Sequence, residues 1–223
     1  MRLTKYKVML HEWKHYNKSN LSKWTPAIKT SILNYPREVT IEELATALTR
    51  GHTVILGNLE YTEKDLEQIK SEGKKIGAST RHWRSQQVFA VDIDNDKYKE
   101  GDSKYITIDK AIRMCKAKKC PPAFIYTTFS YKEDHHKFRV VFASDKEINT
   151  LEERTKLLES IFEVFAINGE CLVDSKCSDP ARLFYPGKEL VYTDYDAIID
   201  VEDLVKRIKP KYKLKKITTT LSS

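Results

Sequence analysis

The stretch that most constrains the fold is Val-Phe-Ala-Val-Asp-Ile-Asp-Asn, at residues 88–95. It is short, apolar and rich in β-branched residues, and a charged loop lies on each side, which predicts a buried strand rather than a helix. Side chains alternate along a strand, so Asp92 and Asp94 share one face while Val91 and Ile93 occupy the other. The chain must therefore place two carboxylates side by side on a sheet.

Such a pair favours a bound cation. Carboxylates on alternate residues of a strand lie about 7 Å apart at their Cα atoms, and each raises the pKa of the other unless a positive charge lies close by. Hard divalent cations such as Mg²⁺ or Mn²⁺ take oxygen ligands of this kind. The alternative is a strand that simply ends in a polar turn at Asp94-Asn95-Asp96.

Composition indicates a globular protein without a membrane anchor. The chain has 223 residues, of which 40% are hydrophobic, enough for one large domain or two small ones. No apolar run approaches the roughly 20 residues of a membrane helix, and the N-terminus lacks the apolar core of a signal peptide, so we expect a cytoplasmic location. The four cysteines have spacings that match structural zinc sites poorly, and we expect free thiols.

The net charge of +7 is concentrated at the C-terminal end, where residues 206–216 carry seven basic side chains and no acidic one. The rest of the chain is close to neutral. Such a segment either contacts nucleic acid or is a solvated linker. We favour the second and expect 206–223 to be a basic tail or a linker to a further C-terminal domain.

Residues 1–39 combine proline and polar stretches with scattered aromatic residues, and we expect an irregular N-terminal arm that wraps the domain. Its aromatic residues lie among lysines, a composition that also suits a stacking surface for single strands. We interpret them instead as anchors that pin the arm to the core. They are Trp13, Tyr16, Trp24 and Tyr35.

The remaining pattern mixes helices and strands without a strict βαβ alternation. Capping boxes begin helices at Thr40 and Thr62. Two strands, 123–128 and 137–142, predict an antiparallel hairpin. Further predicted elements are a strand at 52–57, helices at 107–118 and 149–167, a strand at 189–192 and a helix from Val201. We therefore predict an α+β fold around a mainly antiparallel sheet.

Two further groups of charged residues lie at predicted strand ends. Alternation puts Lys137 and Arg139 on one face of their strand, either as a surface stripe or opposite anions. Asp174 ends an apolar run, and Arg182 begins a later strand. Metal ions held by aspartates would align a hydroxyl with an α-phosphate, and the arginines would bind the outer phosphates.

Three segments in order, VFAVDIDN, YTTFS with KFRVVF, and LVDSKCSDPARLFYPG, resemble the primase–polymerase domain of the archaeo-eukaryotic primase superfamily. The resemblance covers about residues 80–190. It implies a sheet like that of the RNA-recognition motif with an N-terminal α/β lobe, and a catalytic domain at 40–205. Asp92, Asp94 and Asp174 would be the catalytic, metal-binding residues.

The family's second motif is Ser-x-His, whereas here Ser130 is followed by Tyr and Lys, and Arg139 stands on the strand where the histidine would lie. The resemblance implies nucleotide binding by Ser130, Lys137, Arg139 and Arg182. It is closest to domains of primase–helicase proteins that replicate phages, plasmids and mobile elements.

The implied activity is that of a DNA-dependent primase or primase–polymerase. It would use Mg²⁺ or Mn²⁺, nucleoside triphosphates and a single-stranded DNA template, with a helicase domain in cis or in trans. Two other readings stay open. One is a non-catalytic module that binds DNA or loads a helicase, and the other is a metal-dependent nuclease, since paired aspartates also serve phosphodiester hydrolysis.

Overall fold

The structure is a computed structural model and describes residues 4–214. The helices are α1 (Lys18–Ser31), α2 (Ile41–Thr49), α3 (Glu63–Glu72), α4 (Ile108–Ala117), α5 (Leu151–Val164) and α6 (Val201–Arg207). The strands are β1 (Tyr6–Lys14), β2 (Pro36–Val39), β3 (His52–Ile55), β4 (Gly57–Leu59), β5 (Trp83–Ile93), β6 (Phe124–Thr128), β7 (Phe138–Ile148), β8 (Ala166–Ile167), β9 (Glu170–Cys171) and β10 (Gly187–Thr193). No helix within the described range is long and apolar enough to cross a membrane.

A five-stranded sheet, in the order β10-β6-β7-β5-β4, forms the centre of the protein, and its neighbouring strands are antiparallel. A second sheet, in the order β2-β1-β3, is also antiparallel. The prediction of an α+β fold with a mainly antiparallel central sheet is confirmed. The predicted hairpin is present as β6 and β7, which pair directly.

The strand register places three polar side chains in one row across the central sheet. Asp92 of β5 lies opposite Arg139 of β7, and Arg139 in turn lies opposite Tyr126 of β6. Directly opposite residues on neighbouring antiparallel strands have their Cβ atoms about 5 Å apart and on the same face. The pairing of β5, β6 and β7 therefore brings a carboxylate, a guanidinium group and a phenol together.

The helix caps predicted from the sequence are present. At the start of α2, Glu43 N donates to Thr40 Oγ1 and Thr40 N donates back to the Glu43 carboxylate. The same reciprocal pair links Thr62 and Asp65 at the start of α3. Each box supplies partners for backbone N–H groups that lack an intrahelical acceptor.

The prediction that residues 1–39 are irregular is wrong. Residues Tyr6–Lys14 form the central strand of the smaller sheet, and Lys18–Ser31 form a helix that contains Pro26. The strand β1 pairs with β2 and β3, which begin at residues 36 and 52. This pairing stabilises a strand that the polar local sequence does not predict. The interpretation of the aromatic residues as core anchors is also wrong for three of the four, because Trp13, Tyr16 and Trp24 are 40%, 67% and 43% exposed.

The chain after α6 folds back along α5 as far as Leu214. The backbone N–H groups of Lys211 and Leu214 donate to the carboxylates of Glu163 and Glu159, at 3.0 Å each. Lys215 and Lys216 of the predicted basic tail lie outside the described residues. The division into arm, catalytic domain and tail stays a prediction.

Candidate active site

The candidate active site is built around a buried ion pair. Asp92 and Arg139 are 4% and 8% exposed, and Arg139 Nε donates to Asp92 Oδ1. Arg139 Nη1 donates to the Tyr126 hydroxyl at 3.2 Å and to the carbonyl oxygen of Tyr185. Burial by itself disfavours the charged guanidinium, but Asp92 and Tyr126 outweigh it and raise the pKa of Arg139. Arg139 is thus a fixed cation that neutralises one carboxylate of the predicted triad.

A second arginine joins two of the predicted catalytic carboxylates. Arg182 Nη2 donates to Asp92 Oδ2 at 2.6 Å and to Asp174 Oδ2 at 2.9 Å. The Nε atom of Arg182 is buried and has no hydrogen-bond partner among the described residues. A guanidinium that uses one nitrogen for two carboxylates, with another donor unsatisfied, does not have the two-point geometry that arginine usually adopts with anions.

Asp174 is held in place by backbone contacts on both sides. Its N–H donates to the carbonyl oxygen of Asp92 at 3.1 Å, and its Oδ1 accepts from the N–H of Lys176 at 3.0 Å. The short 3₁₀ turn that follows, Ser175–Ser178, is tied to α5, because Arg154 Nη1 donates to the Ser178 carbonyl oxygen at 2.6 Å. These contacts place Asp174 beside the end of β5.

Asp94 differs from the other two carboxylates. It lies immediately after the end of β5, is half-buried, and forms no hydrogen bond or ion pair with any described residue. Burial and the charge of Asp92 together raise the pKa of Asp94. The neighbouring lysine does not pair with it, since Lys137 Nζ donates to Asp96 instead. Within the cluster of three carboxylates and two guanidinium groups, Asp94 is therefore the carboxylate without a direct ion-pair partner among the described residues, although the charges of Lys137 and Arg139 act on it without contact.

Asp94 and Asp174 line a common cavity of about 390 Å³. Its other walls include Tyr98, Leu172 and Tyr212, so polar and apolar surfaces face each other across it. A cavity of this size, with converging polar groups and a carboxylate of perturbed pKa, has the features of a ligand site.

The three predicted metal ligands lie close together, with an arginine between two of them. In the described part of the chain, no group of three or more histidine, cysteine, aspartate or glutamate side chains is placed to hold a metal ion. Arg182 lies between Asp92 and Asp174. Asp94 and Asp174 are oxygen donors on one cavity and suit a hard cation, whereas both oxygens of Asp92 are engaged by arginines.

Two of the predicted nucleotide-binding residues lie beside the carboxylate cluster rather than within it. Ser130 follows β6, and its Oγ accepts from Lys18 Nζ at 3.3 Å. Lys137 precedes β7 and pairs with Asp96, which also lies 3.5 Å from His135 Nε2. Arg139 and Arg182 therefore contact the aspartates directly, whereas Ser130 contacts α1.

Several residues of the site were not predicted. Tyr126 links two elements, because it accepts from Arg139 and its hydroxyl donates to the Tyr185 carbonyl oxygen at 3.1 Å. Burial raises the pKa of Tyr126 to about 12, so it stays neutral. Cys177 Sγ accepts from the N–H of Asp92 at 3.3 Å. The alternation of β6 and the register of the hairpin were the only sequence signal for Tyr126.

No protein-family model matches the sequence, and no curated protein matches it. Among solved structures, the protein is similar to the Cyanophage S-2L Primase-Polymerase (PrimPol), AEP domain (PP-N190), with 12% sequence identity and a TM-score of 0.44. The match covers 78% of this chain and 80% of that chain.

Proposed function

We propose that this protein is a nucleotidyltransferase of the primase or primase–polymerase type, which extends a strand on a single-stranded DNA template. The observation that carries the proposal is Asp94, a half-buried carboxylate without a partner, which shares a cavity with Asp174 beside a pair of arginines. The ordered motifs that resemble the archaeo-eukaryotic primases supply the same residues independently.

Asp94 and Asp174 are the residues that would hold Mg²⁺ or Mn²⁺. A divalent cation bound there would supply positive charge for the reacting phosphate and favour ionisation of the attacking hydroxyl. Asp92 is available as a third ligand only if Arg182 leaves it, since Arg139 and Arg182 occupy its two oxygens. We therefore assign Asp94 the largest part in cation binding.

Arg182 is the residue best suited to bind the triphosphate. It is partly exposed and uses a single nitrogen, Nη2, for both carboxylates. Phosphate oxygens match the guanidinium fork better than two separate carboxylates do. Arg139 has its donors directed at Asp92, Tyr126 and Tyr185, so we assign it the positioning of Asp92, and its contact with the triphosphate stays a prediction.

In the proposed reaction, the 3′-hydroxyl oxygen of a growing strand forms a bond to the α-phosphorus of a nucleoside triphosphate. The bond from that phosphorus to the pyrophosphate oxygen breaks, the hydroxyl loses its proton to solvent, and pyrophosphate leaves. Positioning and neutralisation of phosphate charge supply most of the catalysis in such transfers. Lys137 and Ser130, on either side of the acids, would contact the nucleotide from the edges of the site. Replication of a phage, plasmid or mobile element, with a helicase as partner, is the setting that we propose.

The proposal predicts template-directed incorporation in a primer-extension assay with Mn²⁺ or Mg²⁺. We expect labelled primer to grow when the triphosphate complements the template, with no growth when the metal is chelated. The same reaction without triphosphates separates the alternatives, because shortening of the DNA would favour the nuclease. Binding of DNA without either growth or cleavage would favour the non-catalytic module and contradict the proposal.

A further inference from the structure

Two exposed tryptophans form a cleft on the smaller sheet and its helix. Trp13, near the end of β1, and Trp24, on α1, have ring centroids 5.6 Å apart with planes at 75°. With His15 they line a cavity of about 210 Å³, here called the aromatic cleft. Exposed aromatic side chains that lie together on a folded protein are candidates for an interaction site.

His15 gives the aromatic cleft an unsatisfied polar group. Its side chain is only 6% exposed, and Nδ1 is buried without a hydrogen-bond partner among the described residues. Burial lowers the pKa of His15, so the neutral imidazole dominates at neutral pH. His15 therefore contributes an uncharged side chain to the lining of the aromatic cleft, beside the two tryptophans.

The chain around the aromatic cleft carries more basic than acidic side chains. Residues 12–37 contain five lysine or arginine residues and one acidic residue, Glu12. Lys23 Nζ lies 5.6 Å from the centroid of the Trp24 ring, and Lys14 and Lys18 are exposed nearby in the chain. Aromatic rings flanked by cations are the arrangement with which proteins bind single strands, since bases stack and phosphates meet the charges.

The helix that carries Trp24 also touches the candidate active site. Lys18 Nζ donates to Ser130 Oγ at 3.3 Å, and Thr25 Oγ1 donates to the Tyr185 hydroxyl at 3.3 Å. The carbonyl oxygen of Tyr185 accepts from Arg139. A strand bound at the aromatic cleft would therefore lie against the helix that contacts Ser130 and Tyr185, of which Tyr185 in turn contacts Arg139.

We propose that the aromatic cleft binds single-stranded DNA by stacking bases on Trp13 and Trp24, with the adjacent lysines on its phosphates. The bound strand is the template on its way to the carboxylate cluster. That last step rests on the proposed function, whereas the binding itself does not.

The test is binding of a fluorescent oligothymidylate of about 15 nucleotides, a length within the range that such sites cover. With the full chain and no triphosphate, we expect Trp13→Ala and Trp24→Ala each to weaken binding by about tenfold. Trp24→Phe keeps a stacking face and should stay within about twofold of the wild type. The matched control is Leu66→Ala on α3, which removes a side chain exposed to a similar degree, 44%, and should change nothing.

A second measurement does not depend on the variants folding. A bromodeoxyuridine oligonucleotide, irradiated on the wild-type protein, should cross-link to Trp13 or Trp24, and competing duplex DNA should reduce the yield far less than competing single strands. Cross-links confined to other residues would overturn the proposal, as would equal binding by wild type and both alanine variants. Equal or tighter binding of an oligouridylate would overturn the assignment to DNA.

The two proposals fail separately. If Trp13→Ala and Trp24→Ala weaken binding of the oligothymidylate while the wild-type protein incorporates no nucleotide, the aromatic cleft stands and the proposed activity does not. If incorporation occurs and neither tryptophan affects strand binding, the proposed activity stands and the cleft does not.

Discussion

Replacing Asp94 with asparagine is expected to reduce nucleotide incorporation by about 10³-fold or more, because it removes the carboxylate assigned to the cation, whose charge stabilisation is worth several kcal/mol. The amide keeps the size of the side chain but not its charge. The measurement is the rate of primer extension at saturating Mn²⁺ and triphosphate. A matched control is Asp196→Asn, which removes the same charge from an exposed position outside the site and should leave the rate unchanged.

The same substitution should not weaken the fold. The pKa of Asp94 is raised in the folded protein by burial and by Asp92, so the folded state binds the proton more tightly than the unfolded state. Its ionised form therefore opposes folding as pH rises through the folded pKa. We expect Asp94→Asn to unfold at the same or a higher urea concentration at neutral pH. A variant with wild-type incorporation would show that Asp94 is not the cation ligand.

Replacing Arg139 with methionine is expected to lower the free energy of unfolding by about 3–5 kcal/mol, the usual cost of removing one partner of a buried ion pair. Asp92 would keep its charge at 4% exposure with only Arg182 beside it. For a domain of this length, such a loss corresponds to a melting temperature about 10 °C lower. Urea unfolding followed by circular dichroism measures the change directly.

Two further variants separate the ion pair from simple loss of packing. The double variant Asp92→Asn and Arg139→Met should recover part of the lost stability, because no buried charge is left unpaired. Lys137→Met removes the partially exposed pair with Asp96 on the neighbouring turn and should cost at most about 1 kcal/mol. Strictly additive effects of the two single substitutions would contradict a coupled pair.

Local patterns in the sequence were enough to predict the helices and strands that hold the site residues. The capping residues Thr40 and Thr62 locate two helices to within a residue, because a cap is a contact between neighbours in the chain. Strand alternation places Asp92 and Arg139 on defined faces, and the hairpin register then sets Tyr126 against Arg139. These relations depend on short separations or on the period of a strand.

The contacts that decide the chemistry depend on longer separations. The sequence indicates three acids for one cation, but not that Arg182 would lie between Asp92 and Asp174 and leave Asp94 alone without a partner. Nor does it report that the chain after α6 returns along α5 and places Tyr212 on the cavity wall. Side-chain pairing among distant strand ends is set by packing, which no local pattern records.

The strand and helix within residues 1–39 are not predicted by the sequence, for a related reason. The strand β1 buries Val8 and Met9 in succession, which breaks the alternation that identifies a strand. Its partners are β2 and β3, from residues 36 and 52 onward, so its stability comes from pairing that composition does not show.

The central claim is that Asp94 is the free carboxylate of a cation-dependent nucleotide site. Calorimetric titration of the protein with a nucleoside triphosphate, with and without Mn²⁺, tests it most directly. The account predicts binding at least about tenfold tighter with Mn²⁺, a difference of about 1.4 kcal/mol, and loss of that gain in Asp94→Asn but not in Asp196→Asn. Equal affinities with and without Mn²⁺, or a gain that survives in Asp94→Asn, would contradict it.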